Sequence, residues 1–234
     1  MTFYKRTTKV LLLGLSLLLS LSATGYTAPE NDCPKRLGVV NDSRISHRIL
    51  GIMRKVYQNL GCPITIEYLP GRRGLVAFNA GHVDGELFRV PVGSQKYTRA
   101  FVQSAVPLMN VSSSLWGNPG STLYSDAPIG HTIGIVWEEN FLSQYRLPKS
   151  GHLNDADLIH HYNAGTFDRF IAEDSTIRLA IAEGAFAKDR IPVQIEVLQV
   201  AEVYHYLAAE YAPFMERLSD YLKRNTPFKE AELM

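Results

Sequence analysis

The sequence predicts an α/β protein made of two similar units. Apolar runs of strand length alternate with helix-length periodic segments, this alternation occurs twice, and a Gly/Ser/Pro/Asn-rich stretch at 107–121 separates the two occurrences. Strands that alternate with helices argue for parallel sheets covered on both faces. The 234 residues, 46% hydrophobic and 20% charged, suffice for one large domain or two small ones, and the chain is neither collagenous nor disordered.

The amino terminus reads as an export signal. Lys5, Arg6 and Lys9 precede an apolar run over 10–21, and Ala23-Thr24-Gly25 offers small residues for a peptidase, with Gly25-Tyr26-Thr27-Ala28 as a second choice. The run of about 12 residues is short of the roughly 20 that span a bilayer. No Cys near the cut invites a lipid anchor, and no later apolar run has spanning length. Without residues 1–28 the chain carries 21 basic against 23 acidic groups, so nucleic acid is not an expected partner. The expected product is soluble and periplasmic.

Arg36-Leu37-Gly38-Val39-Val40 reads as the first strand, and Asn41-Asp42-Ser43 offers N-cap chemistry for the helix after it. Ile45, Ile49, Ile52, Met53, Val56 and Leu60 recur at helical spacing, and Gly61 ends that helix. A strand is predicted over 64–69, a short helix over 72–80 and a third strand over 83–90. After the loop-rich stretch, strands are predicted over 132–137, 167–172 and 193–200, with helices over 155–163 and 176–183. A final helix is predicted over 206–224, with Leu207, Tyr211, Phe214, Leu218 and Tyr221 on one face and Pro213 kinking or splitting it.

Cys33 and Cys62 both belong to the exported part, and an even count there reads as one disulfide pinning a strand–helix–strand start. Two buried free thiols are the alternative. Neither belongs to a His/Cys grouping at zinc spacing.

Most of the exported part of the chain resembles the family 3 periplasmic solute-binding proteins, the polar amino-acid-binding type. The resemblance rests on Leu37-Gly38-Val39-Val40 as opening strand with Asn41-Asp42-Ser43 as first ligand loop, and on the helix end, turn and strand at Phe78-Asn79-Ala80-Gly81-His82-Val83-Asp84-Gly85. His131-Thr132-Ile133-Gly134-Ile135 is similar to the strand that opens the second lobe, and Ala164-Gly165-Thr166-Phe167-Asp168 repeats the Gly-x-x-Asp pattern there. The resemblance implies a two-lobed periplasmic binding protein fold, each lobe a mostly parallel sheet flanked by helices, with the ligand cleft between lobes. It implies a discontinuous lobe 1 (29–115 and 203–234), a lobe 2 over 116–202, and hinges near 107–121 and 198–205. It also implies a small-molecule ligand passed to an inner-membrane ABC permease. A monomer without cofactor or metal is expected.

Two segments depart from the family pattern. Its Thr-x-x-Arg, whose Arg pairs with a ligand carboxylate, is replaced by Glu86-Leu87-Phe88-Arg89, with Arg99 ten residues later; either arginine is a candidate. The Gly-Ser/Thr helix start after the second-lobe strand is replaced by Trp137-Glu138-Glu139. Two carboxylates there would repel an anionic ligand and favour a cation.

The candidate ligand residues are therefore Asp42, Ser43, Glu86, Arg89, Arg99, Trp137, Glu138, Glu173 and Asp174. Most have a plainer role beside them. Asp42 and Ser43 would cap a helix, Arg89 would pair locally with Glu86, and Trp137 would pack in a core. Glu173 and Asp174 would sit at a helix N-terminus, where the dipole favours carboxylates. His152, Asp155, Asp157, His160 and His161 cluster in sequence, and Asp157 and His161 stand one helical turn apart. With no His-Glu-x-x-His motif, a solvated helix face is the reading preferred over a metal. Arg72 and Arg73, between two glycines, read as a solvated turn rather than an anion seat.

Gly-x-Ser-x-Gly, P-loop and Gly-x-Gly-x-x-Gly motifs are absent, so a binder is preferred to an enzyme. Cyclohexadienyl dehydratases resemble the same family, and prephenate or arogenate dehydration, with Glu86 or Glu173 as acid/base, is the enzymatic alternative. A sensor or partner-binding module with a filled cleft is the other.

Overall fold

The computed structural model describes residues 32–40, 46–69 and 71–229. The predicted export segment and the candidates Asp42 and Ser43 lie outside these. The opening elements follow the predicted order to within two residues at each end: β1 (Arg36–Val40), α1 (Ser46–Asn59), β2 (Thr65–Leu69), α2 (Gly71–Asn79) and β3 (Gly85–Arg89). Then come α3 (Pro91–Ser94), β4 (Phe101–Gln103), β5 (Met109–Gly117), β6 (Ile129–Thr132), α4 (Val136–Ser143) and β7 (Lys149–His152). The chain continues through α5 (Asp155–Asn163), β8 (Arg169–Glu173), α6 (Asp174–Ala182), β9 (Val193–Ala208), a 3-10 turn (Ala209–Tyr211) and α7 (Ala212–Asn225).

The strands lie in the order β2-β1-β3-β9-β5-β8-β6-β7, with β4 also on β9. β1 is parallel to β2 and β3, and β6 is parallel to β7 and β8. Between these two parallel groups run β5 and β9, antiparallel to each other and to their other neighbours. One end of β9 pairs with β5 and the other with β3 and β4. Each group has its own core. Leu37, Leu50, Met53, Tyr57, Leu87, Phe214 and Leu218 fill the first. Leu158, Tyr162, Phe167, Phe170 and Ile177 lie on one side of the second, and Leu115, Ile129, Trp137 and Ile171 on the other.

Cys33 and Cys62 are disulfide-bonded with Cα atoms 5.3 Å apart, so the free-thiol alternative is gone. The bridge ties the lead-in to β1 to the turn after α1. Among the described residues no helix is long and apolar enough to cross a membrane.

Four expectations are corrected. Much of the loop-rich stretch 107–121 is the nine-residue strand β5, central in the sheet. The strand expected over 132–137 ends at Thr132, because Gly134 at φ +88° turns the chain into α4, whose first turn contains Trp137. The last strand continues past 200 to Ala208, so Leu207 belongs to β9 rather than to the final helix. Pro213 neither kinks nor splits α7; it lies in the first turn, where its missing N–H costs nothing.

Candidate ligand site

Glu86 and Arg89 lie three residues apart on β3, a spacing that in a regular strand puts side chains on opposite faces. The β3–β9 ladder shifts register between them, and the irregularity lets the two side chains meet. Arg89 donates from Nε to Glu86 Oε2 at 2.8 Å and from Nη2 to Oε1 at 2.6 Å, with both side chains buried. The Tyr97 hydroxyl donates to the same Oε2. Burial opposes the Arg89 charge, but attraction and hydrogen bonding from Glu86 outweigh it and hold the guanidinium above its ordinary range. Gly74 of α2 passes so close that a Cβ there would overlap Glu86 Oε1. The planar fork that would grip a ligand carboxylate thus grips Glu86.

Behind this pair, His205 of β9 is fully buried between the Tyr57 hydroxyl, 2.6 Å from its Nε2, and the Glu86 carbonyl, 2.9 Å from its Nδ1. Burial holds the imidazole down to about 4. The sequence reading named neither Tyr97 nor His205, since both reach the pair from distant segments. Arg99, the other candidate arginine, is at the opposite end of β3. It donates to the Val83 carbonyl at 3.1 Å, pairs with Glu210 and covers the Phe78 ring.

On the β6 side, the two acidic residues of α4 turn back on the preceding turn. Glu138 Oε2 accepts from the Thr132 N–H at 2.8 Å and Glu139 Oε1 from the Gly134 N–H at 2.9 Å. Burial holds the Glu138 carboxyl well above the usual carboxylate range, despite the Thr132 amide. Burial would raise Glu139 too, but Arg72 and the Gly134 amide outweigh it and hold this carboxyl below its usual range. Trp137 is buried against the core of this half.

At the end of β8, Glu173 caps α6, accepting from the Ser175 and Thr176 amides at 3.0 and 2.9 Å. Asp174 is buried and accepts from Trp116 Nε1 at 3.1 Å and Gln194 Nε2 at 3.0 Å. The plainer role read for Glu173 therefore describes what it does here, and Asp174 anchors β5 and β9.

The two sides touch. Arg72 Nη2 of α2 lies 2.7 Å from Glu139 Oε2 of α4. Val90 and Val92, just past β3, pack against the core that holds Trp137. The carboxyl end of β3 thus faces the helix that follows β6. Arg72, read from sequence as a solvated turn residue, is this bridge. At this junction the guanidinia of Arg72 and Arg89 are each paired with a carboxylate, Glu139 and Glu86.

No family model matches the chain, and no curated protein matches it in sequence. Solved structures do resemble it in shape. A Gly-to-Ala mutant of arginine-bound ArgBP from T. maritima superposes with a TM-score of 0.65 at 12% identity, over 81% of this chain and 94% of that one. An arginine third transport system periplasmic binding protein from Legionella pneumophila gives 0.68 at 11% identity, over 84% and 96%. The GluR0 ligand-binding core from Nostoc punctiforme, in complex with L-glutamate, gives 0.67 at 11%, again over 84% and 96%. TM-scores of this size over most of both chains, at such low identity, speak for the fold: this chain is built on the two-lobed α/β fold of the periplasmic solute-binding proteins.

Proposed function

We propose that the chain is a periplasmic solute-binding protein that captures a small polar metabolite, amino-acid-like or cationic, and presents it to an ABC-type permease. The observation that carries this reading is the meeting of α2 and α4 through Arg72 and Glu139 at the carboxyl end of β3. Open α/β sheets bind ligands at such strand ends. Lobe 1 would comprise 29–115 and 203–234, and lobe 2 would comprise 116–202, so that the hinge runs through β5 and β9. Closure would then give the ligand contacts from both lobes that the open state lacks. Glu86, Arg89, Glu138, Glu173 and Asp174 are the charged groups nearest this role, with Asp42 and Ser43 from the first loop. Arg99 is withdrawn from the set because it is bound at the far end of β3.

The test is a thermal-shift screen of the purified exported protein with amino acids, polyamines, dicarboxylates and prephenate. A ligand at 100 times its dissociation constant stabilises by about 2.7 kcal/mol, a shift of a few degrees. A hit weakened by Glu139→Gln supports the reading. Turnover of prephenate would replace it with the dehydratase reading. A folded protein silent to the whole panel would favour a partner-binding module, the reading that gains from Arg89 being engaged by Glu86.

A further inference from the structure

The end of β7 and one face of α5 bring two imidazoles and a carboxylate together. Asp157 and His161 are four residues apart on α5 and so share a face. His152, the last residue of β7, reaches over them. His152 Nδ1 lies 3.6 Å from Asp157 Oδ2, and His161 Nε2 lies 3.5 Å from Asp157 Oδ1. One ligand atom from each residue falls within 4.8 Å of the other two. A tetrahedral zinc ion with bonds of about 2.0–2.1 Å sets its ligand atoms roughly 3.3–3.4 Å apart. The two His–Asp separations are close to that edge and longer than the usual N–H···O hydrogen bond.

We propose that His152, Asp157 and His161 form a binding site for a divalent zinc-class cation. The outer contacts are those such a site needs. The far nitrogen of His152, Nε2, is 3.0 Å from the Ser150 hydroxyl, and its ring packs on Phe167 at 5.1 Å. The Leu153 N–H donates to Asp157 Oδ2 at 3.0 Å and fixes the carboxylate. Such partners set the tautomer and aim of ligating groups. His152 is buried, whereas Asp157 is 33% and His161 43% exposed, so the cluster opens to solvent on one side. That side provides the entry path and leaves a fourth position for water. Two imidazoles and one carboxylate suit zinc rather than calcium or magnesium, which take oxygen ligands. Asp155 is turned away toward the Thr132 hydroxyl, and His160 stands exposed on the neighbouring face; neither belongs to the set. The i, i+4 pair is visible in the sequence, and the fold supplies the third ligand.

Titration of the tag-free, chelator-treated protein with Zn2+, by calorimetry and by competition with a chromophoric chelator, tests the assignment. One Zn2+ per chain is expected. His161→Ala and Asp157→Asn, both at partly exposed positions that leave the core intact, should each weaken binding by at least tenfold. His160→Ala should leave it unchanged. Co2+ in place of Zn2+ should give the visible absorption of a four-coordinate site, absent in His161→Ala. Substoichiometric uptake, or uptake indifferent to both His161→Ala and Asp157→Asn, overturns the site. So does an equal loss in His160→Ala.

Discussion

Arg72 and Glu139 form an ion pair at 2.7 Å between helices that belong to different halves of the sheet. The pair is lopsided in exposure: Arg72 is 68% exposed and Glu139 24%. Its attraction is therefore screened and contributes little to folding, yet it joins the two parallel groups of the sheet.

Arg72→Ala should lower stability by less than about 1 kcal/mol, as exposed ion pairs do. Its effect should appear in shape. In small-angle scattering without ligand, the variant is expected to have a larger radius of gyration than the parent, and high salt should narrow the difference. Equal radii at low salt would mean that the pair holds nothing closed.

Glu86 and Arg89 behave differently, because both are buried. Arg89→Met leaves a buried carboxylate without its partner and should cost roughly 3–5 kcal/mol in urea unfolding. Glu86→Gln/Arg89→Met should recover much of that loss. A single variant as stable as the parent would show that Tyr97 alone satisfies Glu86.

His205 gives the fold an acid limit. Its folded pKa of about 4 lies below the unfolded value near 6.5, so the unfolded chain binds the proton first. The stabilisation is complete above about pH 6.5 and is lost as pH falls toward 4. From the shift it amounts to about 3 kcal/mol. His131 is also lowered by burial and adds slope of the same sign. Comparing the melting temperature of the parent with that of His205→Gln from pH 7 to 5 isolates the residue: the variant should show the shallower decline.

The Cys33–Cys62 bridge spans 29 positions of sequence. Loop-closure entropy for that length is worth roughly 3–4 kcal/mol. Reductant should lower the melting temperature by several degrees, and Cys33→Ser/Cys62→Ser should melt at the reduced value whether or not reductant is present.

The sequence was most readable where local chemistry agrees with the fold. Helix α5 begins and ends where predicted because Asn154 caps it and Leu158, Ile159 and Tyr162 give it one apolar face. Strand β5 was hidden by Ser112, Ser113 and Ser114, which in a short window resemble a loop. In the sheet Ser113 and Ser114 are buried between β8 and β9, and the Ser114 hydroxyl accepts from Gln194, so packing overrides propensity. Tyr206 and Leu207 fit the helical spacing of α7 by coincidence, while Val203, His205 and Leu207 also alternate as a strand would. The site charges were found one by one, but not their partners. Glu86 and Arg89 were legible as neighbours, whereas Tyr97, His205 and the Glu139–Arg72 contact depend on which distant segments the sheet order brings together.

Strand β9 is almost the last element of the chain and yet lies between β3 and β5. Until residue 208 has emerged, β3, β4 and β5 each lack this neighbour and present an open edge. A chain interrupted earlier, by a stop codon or a stalled ribosome, would have neither sheet complete and would invite edge-to-edge association. In the export proposed for this chain the same arrangement would help, because nearly the whole polypeptide could be threaded unfolded before either half is able to close.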